Sequence, residues 1–182
     1  MNTQVKNRNT PLLRSGLVAL AVLGAFGAAQ AAGTDFTTFK VKLVITESCT
    51  ISTTAPTDVD FGSQGRVTTA VAFDAAGALN VNCSAGTPYT IGLNGGVNSL
   101  GTANAPVAGN RRMKLGASTT YVPYELYQNA GRTTFWGNTI GTSTVAGTGT
   151  GASVALPVFG RVTSVNSAAG SYEDTITATV TY

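Results

Sequence analysis

After residue 31 short stretches of apolar and polar side chains alternate with a period of two, and no stretch keeps apolar residues at helical spacing with caps at both ends. The plainest case is "DTITATVTY" at 174–182, where Ile176, Ala178, Val180 and Tyr182 alternate with Thr175, Thr177, Thr179 and Thr181. That pattern predicts a strand with one buried face. Phe39, Val41, Leu43 and Ile45 share one parity against Lys40 and Lys42, and Leu79, Val81 and Cys83 share one against Asn80 and Asn82. Tyr89, Ile91 and Leu93 follow, then "MKL" at 113–115, "YVPYELYQ" at 121–128 and "SVALPVFGRV" at 153–162, with "VDFG" at 59–62 as a further short candidate. Segments this short, bounded by Gly, Pro, Asn and Ser, predict an all-β chain folded as a two-sheet sandwich. Pro123 and Pro157 mark edges, bulges or strand switches, because proline cannot donate to the ladder.

Two stretches read as loops. Gly92 to Gly109 and Gly137 to Ser153 are rich in Gly, Thr and Ala, and the second predicts a flexible surface connection. Neither is followed by the Lys-Ser/Thr pair and helix of a phosphate-binding loop.

The two ends of the pattern are unbalanced. The strand at 174–182 is patterned like a central one, yet no residue follows Tyr182 to flank it, which predicts an open edge beside Ile176, Val180 and Tyr182. At the other end, the 18 residues from Ala32 to Cys49 offer more strand than one sheet position needs. Phe36 lies on one parity, and Phe39, Val41, Leu43 and Ile45 on the other. The Thr37-Thr38 pair interrupts the alternation, so both parities stay open as the face that packs. A spare strand at one end and a missing strand at the other predict head-to-tail addition, a heterologous contact that propagates as a fibre. The plainer reading makes the N-terminal residues the chain's own first strand and Tyr182 an ordinary core aromatic.

Composition sharpens this picture. Lys6, Arg8 and Arg14 precede an uncharged apolar run from Leu17 to Ala29, and "AQA" at 29–31 has the small-x-small form of a secretory cleavage site. Residues 1–31 are therefore read as a signal peptide, the run being short for a bilayer span. The remainder carries eight basic and eight acidic residues. Net neutrality without a basic stripe excludes nucleic acid as an expected partner. Cys49 and Cys83 leave the reducing cytoplasm together and read as one disulfide, against two free thiols or half a metal site. With no histidine in the chain, zinc sites and His-dependent nucleophiles have no ligand or base. Asp58 and Asp60 lie two apart, as paired glycosidase carboxylates could, but "APTDVDFG" also reads as a turn entering a strand. Glu173 and Asp174 read as solvated loop charges. An outer-membrane barrel would need longer lipid-facing strands and aromatic girdles, which the chain lacks.

A family resemblance rests on "LPVFGR" at 156–161 followed by "AGSYEDTITATVTY" at 169–182, together with "FKVKLVITESCTI" at 39–51, "LNVNCSAGTPYTIGLNGG" at 79–96 and "YELYQNAGRTTFWG" at 124–137. These resemble the spore coat protein U domain family, which includes the major pilin of Csu-type archaic chaperone-usher pili. Phe159 stands where that motif often has Tyr. The resemblance implies an incomplete immunoglobulin-like sandwich lacking its final strand, at 44–182, and a donor-strand segment at 32–43. It implies a structural, non-enzymatic subunit without cofactor. Its partners would be further pilin subunits, a periplasmic chaperone and an outer-membrane usher, and its destination a surface pilus used in attachment and biofilm formation. Carried onto this chain, Cys49 and Cys83 form the disulfide tying the first strand to the second. Phe36, Phe39, Val41, Leu43 and Ile45 are the donor residues, and Ile176, Val180 and Tyr182 line the acceptor groove. The alternative is a secreted monomeric β-sandwich that binds glycan or forms a coat layer.

Overall fold

The structure, a computed structural model, describes residues 33–51 and 56–182. The expected signal peptide at 1–31 lies outside the described residues, as does Ala32. The chain divides into two units, Met1–Lys42 and Leu43–Tyr182. In the first, the described residues 33–42 have neither helix nor strand pairing.

The second unit holds nine strands among the described residues and no helix. They are β1 Cys49–Ile51, β2 Phe73–Cys83, β3 Pro88–Leu93, β4 Arg112–Leu115, β5 Tyr121–Tyr127, β6 Val145–Thr148, β7 Ser153–Val162, β8 Tyr172–Glu173 and β9 Ala178–Thr181. One sheet has the order β1-β2-β7-β5-β4-β8 and the other β6-β3-β9, with every pairing antiparallel. The all-β, two-sheet class predicted from the alternation is the class observed.

Register explains the core. In the long β2–β7 pair, Val81 faces Val154, Leu79 faces Leu156 and Gly77 faces Val158, so one face of both strands is apolar. Val81, Val158 and Val162 are buried there against Tyr89, Ile91 and Leu93 of β3 and Val122, Tyr124 and Leu126 of β5, with Trp136 beside them. Leu79 and Leu156, in the middle of the same face, stay only half-buried. Gly77 and Gly160 carry no side chain because the stretch Thr57–Phe61 crosses there: an added Cβ would strike the Thr57 carbonyl at one and Val59 and Phe61 at the other.

The prolines sit where pairing changes. At Pro123, β5 leaves its partner β4, which it pairs over 121–123, and takes up β7 from Tyr124 on. Pro157 lies in a stretch of β7 that pairs with β2 alone, since pairing with β5 begins at Phe159. Neither proline withholds a donor from a ladder.

Three expectations change. The segment 137–153 contains β6, which pairs with β3 from Pro88↔Thr148 to Ile91↔Val145; its short Val-Ala-Gly-Thr run has too little alternation to announce a strand, and Gly147 is required because a Cβ would meet the Tyr89 ring. "VDFG" at 59–62 forms no strand; the pairing there is an isolated bridge, Thr57↔Ala78. The strand expected at 174–182 is shortened to β9, Ala178–Thr181: 174–177 lie outside it, where Asn94 and Val97 donate to the carbonyls of Thr177 and Thr175, and Tyr172–Glu173 ahead of them form β8 in the other sheet.

β1 is three residues long and is held to β2 by the Cys49–Cys83 disulfide, which closes a sequence separation of 34. Such a cross-link stabilises by about 3–4 kcal/mol in the loop-closure account. Cys49→Ser is expected to lower the urea unfolding free energy by about that much, and an unchanged value would show that β1 is held by its ladder alone.

Candidate functional site

β9 pairs with β3 on one side, from Thr90↔Thr181 to Leu93↔Ala178, and with no described strand on the other. β1 is the outer strand of the larger sheet, and it lies against β9 across the gap between the sheets. A free sheet edge exposes backbone donors and acceptors in register for one more strand. The alternation along it is intact: Ile176, Ala178 and Val180 are half-buried against the core, while Thr175, Thr177, Thr179 and Thr181 are exposed. Tyr182, on the same parity one residue past β9, is 59% exposed. A separate cleft, with no β9 residue in its lining, lies between 59–66 and 167–173, over Val122, Val162 and Met113, with Tyr172 at its side.

The N-terminal candidates are exposed to a like degree. Phe36 and Phe39 are 87% and 85% exposed, and Val41, Leu43 and Ile45 are equally open, as is Val44 of the opposite parity. Residues 33–48 have no strand pairing. The chain thus combines an unpaired strand edge and an unpaired apolar segment.

A polar frame, not legible in the alternation, holds the edge in place. Arg111 is fully buried. Its Nη1 donates to Glu125 Oε1 at 2.6 Å, its Nε to the Asn94 carbonyl at 3.1 Å, and its Nη2 to the carbonyls of Leu93, Asn94 and Trp136 at 3.3, 2.7 and 2.8 Å. Glu125 in turn accepts from the backbone of Gly109 and Leu126. A buried guanidinium is tolerable only with its donors filled in this way. It clamps the end of β3, which carries β9, to β5 of the other sheet.

Asp174 is the second fastening, and it corrects its reading as a solvated loop charge. Half-buried, it accepts from Tyr124 Oη at 2.7 Å and from the backbone and side-chain nitrogens of Asn98 at 3.1 and 3.0 Å. Its parity, shared with Ile176, was the sequence signal that it points inward. Burial, and after it the hydrogen bond to Asp174, pushes the Tyr124 phenol well above its usual 10.0, so it stays protonated and donating. Asp60 accepts from Gly62 N at 2.8 Å, the turn geometry that "APTDVDFG" suggested. No group of three or more His, Cys, Asp or Glu that could hold a metal occurs among the described residues.

On the outer face, Asp74 takes two hydrogen bonds from Arg161, at 2.7 and 2.9 Å, with Arg132 at 3.2 Å. The Arg161 hydrogen bond, helped by the charge of Arg132 and opposed by desolvation, holds Asp74 below its ordinary 3.8.

A family model described as the Spore Coat Protein U domain matches residues 35–179. Among curated proteins, Protein U of Myxococcus xanthus is 37% identical over 113 residues, which is 58% of this chain and 59% of that protein. The chain thus spans about three-fifths of the length of this relative. Among solved structures, a chaperone–tip adhesion subunit pre-assembly complex from the archaic chaperone-usher Csu pili of Acinetobacter baumannii aligns with a TM-score of 0.47 at 25% identity, over 76% of this chain and 40% of that one.

Two outcomes test the frame. Arg111→Met leaves Glu125 buried without its cation and is expected to cost about 3–5 kcal/mol in urea unfolding; an unchanged midpoint would make the pair incidental. For Asp74 the folded carboxyl is harder to protonate than the unfolded one. Its contribution is present above pH 3.8 and is lost as pH falls through the lowered folded value. Asp74→Asn is therefore expected to flatten the acid limb of the stability profile below pH 3.8, the effect being reduced by salt; an acid limb identical to that of the unsubstituted chain would contradict it.

Proposed function

The chain belongs to the spore coat protein U domain family, and from that premise we propose that it is a structural pilin subunit of an archaic chaperone-usher pilus, assembled by strand donation. The observation that carries this is the conjunction in one chain of the unpaired β9 edge and the unpaired, exposed segment 33–48. Phe39, Val41, Leu43 and Ile45 of one copy add as a strand along the free side of β9 in the next, beside the half-buried Ile176, Ala178 and Val180. Backbone hydrogen bonds to β9 supply affinity, and the alternate side chains supply register. Each of the four apolar side chains is worth roughly 1.5–3 kcal/mol on burial, before the entropy of ordering the segment is subtracted.

The contact is heterologous, since the surface that donates differs from the surface that accepts, and it propagates as a fibre. Before assembly the same edge needs a temporary cover, the role of a periplasmic chaperone, with an outer-membrane usher exchanging that cover for the incoming strand. On this reading residues 1–31 direct export, the donated strand runs from the segment 32–43 on through Ile45, and the rest of 44–182 forms the accepting sandwich. Phe36 and Tyr182 extend the donor and the groove at their ends. The product is a non-enzymatic surface fibre for attachment and biofilm formation.

Deletion of residues 32–42 is expected to leave a subunit that still binds the chaperone and still accepts a donor strand but adds no further copy. The check is a gel of unboiled samples, where the full chain gives an SDS-resistant ladder and the deletion gives none. Normal fibres from the deleted chain would overturn the proposal.

A further inference from the structure

The sandwich has two dissimilar ends. At one, β2 turns into β3 through Ser84–Thr87, and the Ser84 backbone N–H donates to the Ser48 carbonyl at 2.9 Å. The chain ahead of β1 therefore leaves from this turn end. At the opposite end, residues 94–111 lead from β3 to β4 and residues 137–144 lead into β6. The two loops are joined where Asn138 Nδ2 donates to the Asn104 carbonyl at 2.7 Å. This loop end exposes Val97, Leu100, Val107 and Ile140, each more than half open to solvent. Residues 94–110 and 137–153 contain no charged residue, and neither does the turn at 84–88. Charge depletion with exposed apolar side chains marks the core of a docking surface rather than a solvated cap.

Strand polarity says what covers it. β3 runs from the turn end to the loop end, and β9, antiparallel to it, runs back. A donated strand parallel to β9 would bring its own body to the acceptor's turn end, where the acceptor's N-terminal segment has to leave. A donated strand antiparallel to β9 brings its body to the loop end and keeps that exit free. Between Ile45, the last donor residue, and β1 stand three residues, Thr46, Glu47 and Ser48. Three residues span about 10 Å, so the turn end of the donating copy must lie close to the loop end that receives it.

We propose that the loop end, through Val97, Leu100, Val107 and Ile140, seats the turn end of the copy whose N-terminal strand fills the groove. The fibre then has a body-to-body contact beside the donated strand, and its bending is set there. This rests on the strand-donation reading above.

Paired cysteines test it. Ala85 is exposed in the turn at 84–87; fibres of Ala85→Cys/Leu100→Cys, and of Ala85→Cys/Val107→Cys as a second pair, are treated with a short irreversible bismaleimide, then boiled and reduced. Donated strands come apart on boiling, so only cross-linked bodies persist. The expected result is a ladder surviving boiling in at least one paired variant and in none of the single variants. An unboiled ladder with no boiled ladder from either pair overturns the body-to-body contact while leaving strand donation standing. Absence of an unboiled ladder from the unsubstituted chain overturns strand donation itself, and this contact with it.

Discussion

A strand edge whose backbone groups lack partners, above apolar side chains only half withdrawn from water, needs a complement. The β9 edge is such an edge, and the rest of the sandwich is organised around keeping it ordered while it stays open. β3 supports β9 on one side only, and β1 faces it across the gap between the sheets.

An open edge would be of little use if it collapsed, and two polar fastenings oppose that. Arg111, buried and filled by Glu125 and three carbonyl groups, fixes the end of β3 to β5. Asp174, bonded to Tyr124 and Asn98, fixes the approach to β9. Both act at the end of the edge where β9 begins, so the strand with the free side starts from an immobilised point. A preformed groove loses less conformational entropy on filling than one that orders as it binds. The disulfide does the corresponding work for β1, which at three residues has little ladder of its own.

Much of this was legible because period-two alternation reports which face of a strand is buried. The runs at 79–83, 89–93 and 153–162 fall within observed strands and that at 121–128 outruns its strand by one residue, while the prolines at 123 and 157 sit where pairing changes, for the reason their missing N–H suggests. What alternation cannot report is pairing without pattern. β6 is Val-Ala-Gly-Thr, and its place beside β3 depends on Gly147 clearing the Tyr89 ring. Nor does alternation report a lone buried charge: Arg111 follows an uncharged loop and becomes structural only where four segments converge. Asp174 lay between these cases, since its parity pointed inward while its charge suggested solvent.

The site is legible to the same extent and no further. The half-buried row at Ile176, Ala178 and Val180 follows from the alternation, whereas the free side of β9 appears only once the strand order is known. Hydrogen exchange at the backbone amides of residues 175–181, compared between the unassembled subunit and the assembled fibre, tests the account most directly. Amides directed away from β3 are predicted to exchange freely in the subunit and to become protected in the fibre, and protection should return when a peptide of residues 33–47 is added to the subunit. Equal exchange in subunit and fibre would contradict the claim that this edge receives a strand.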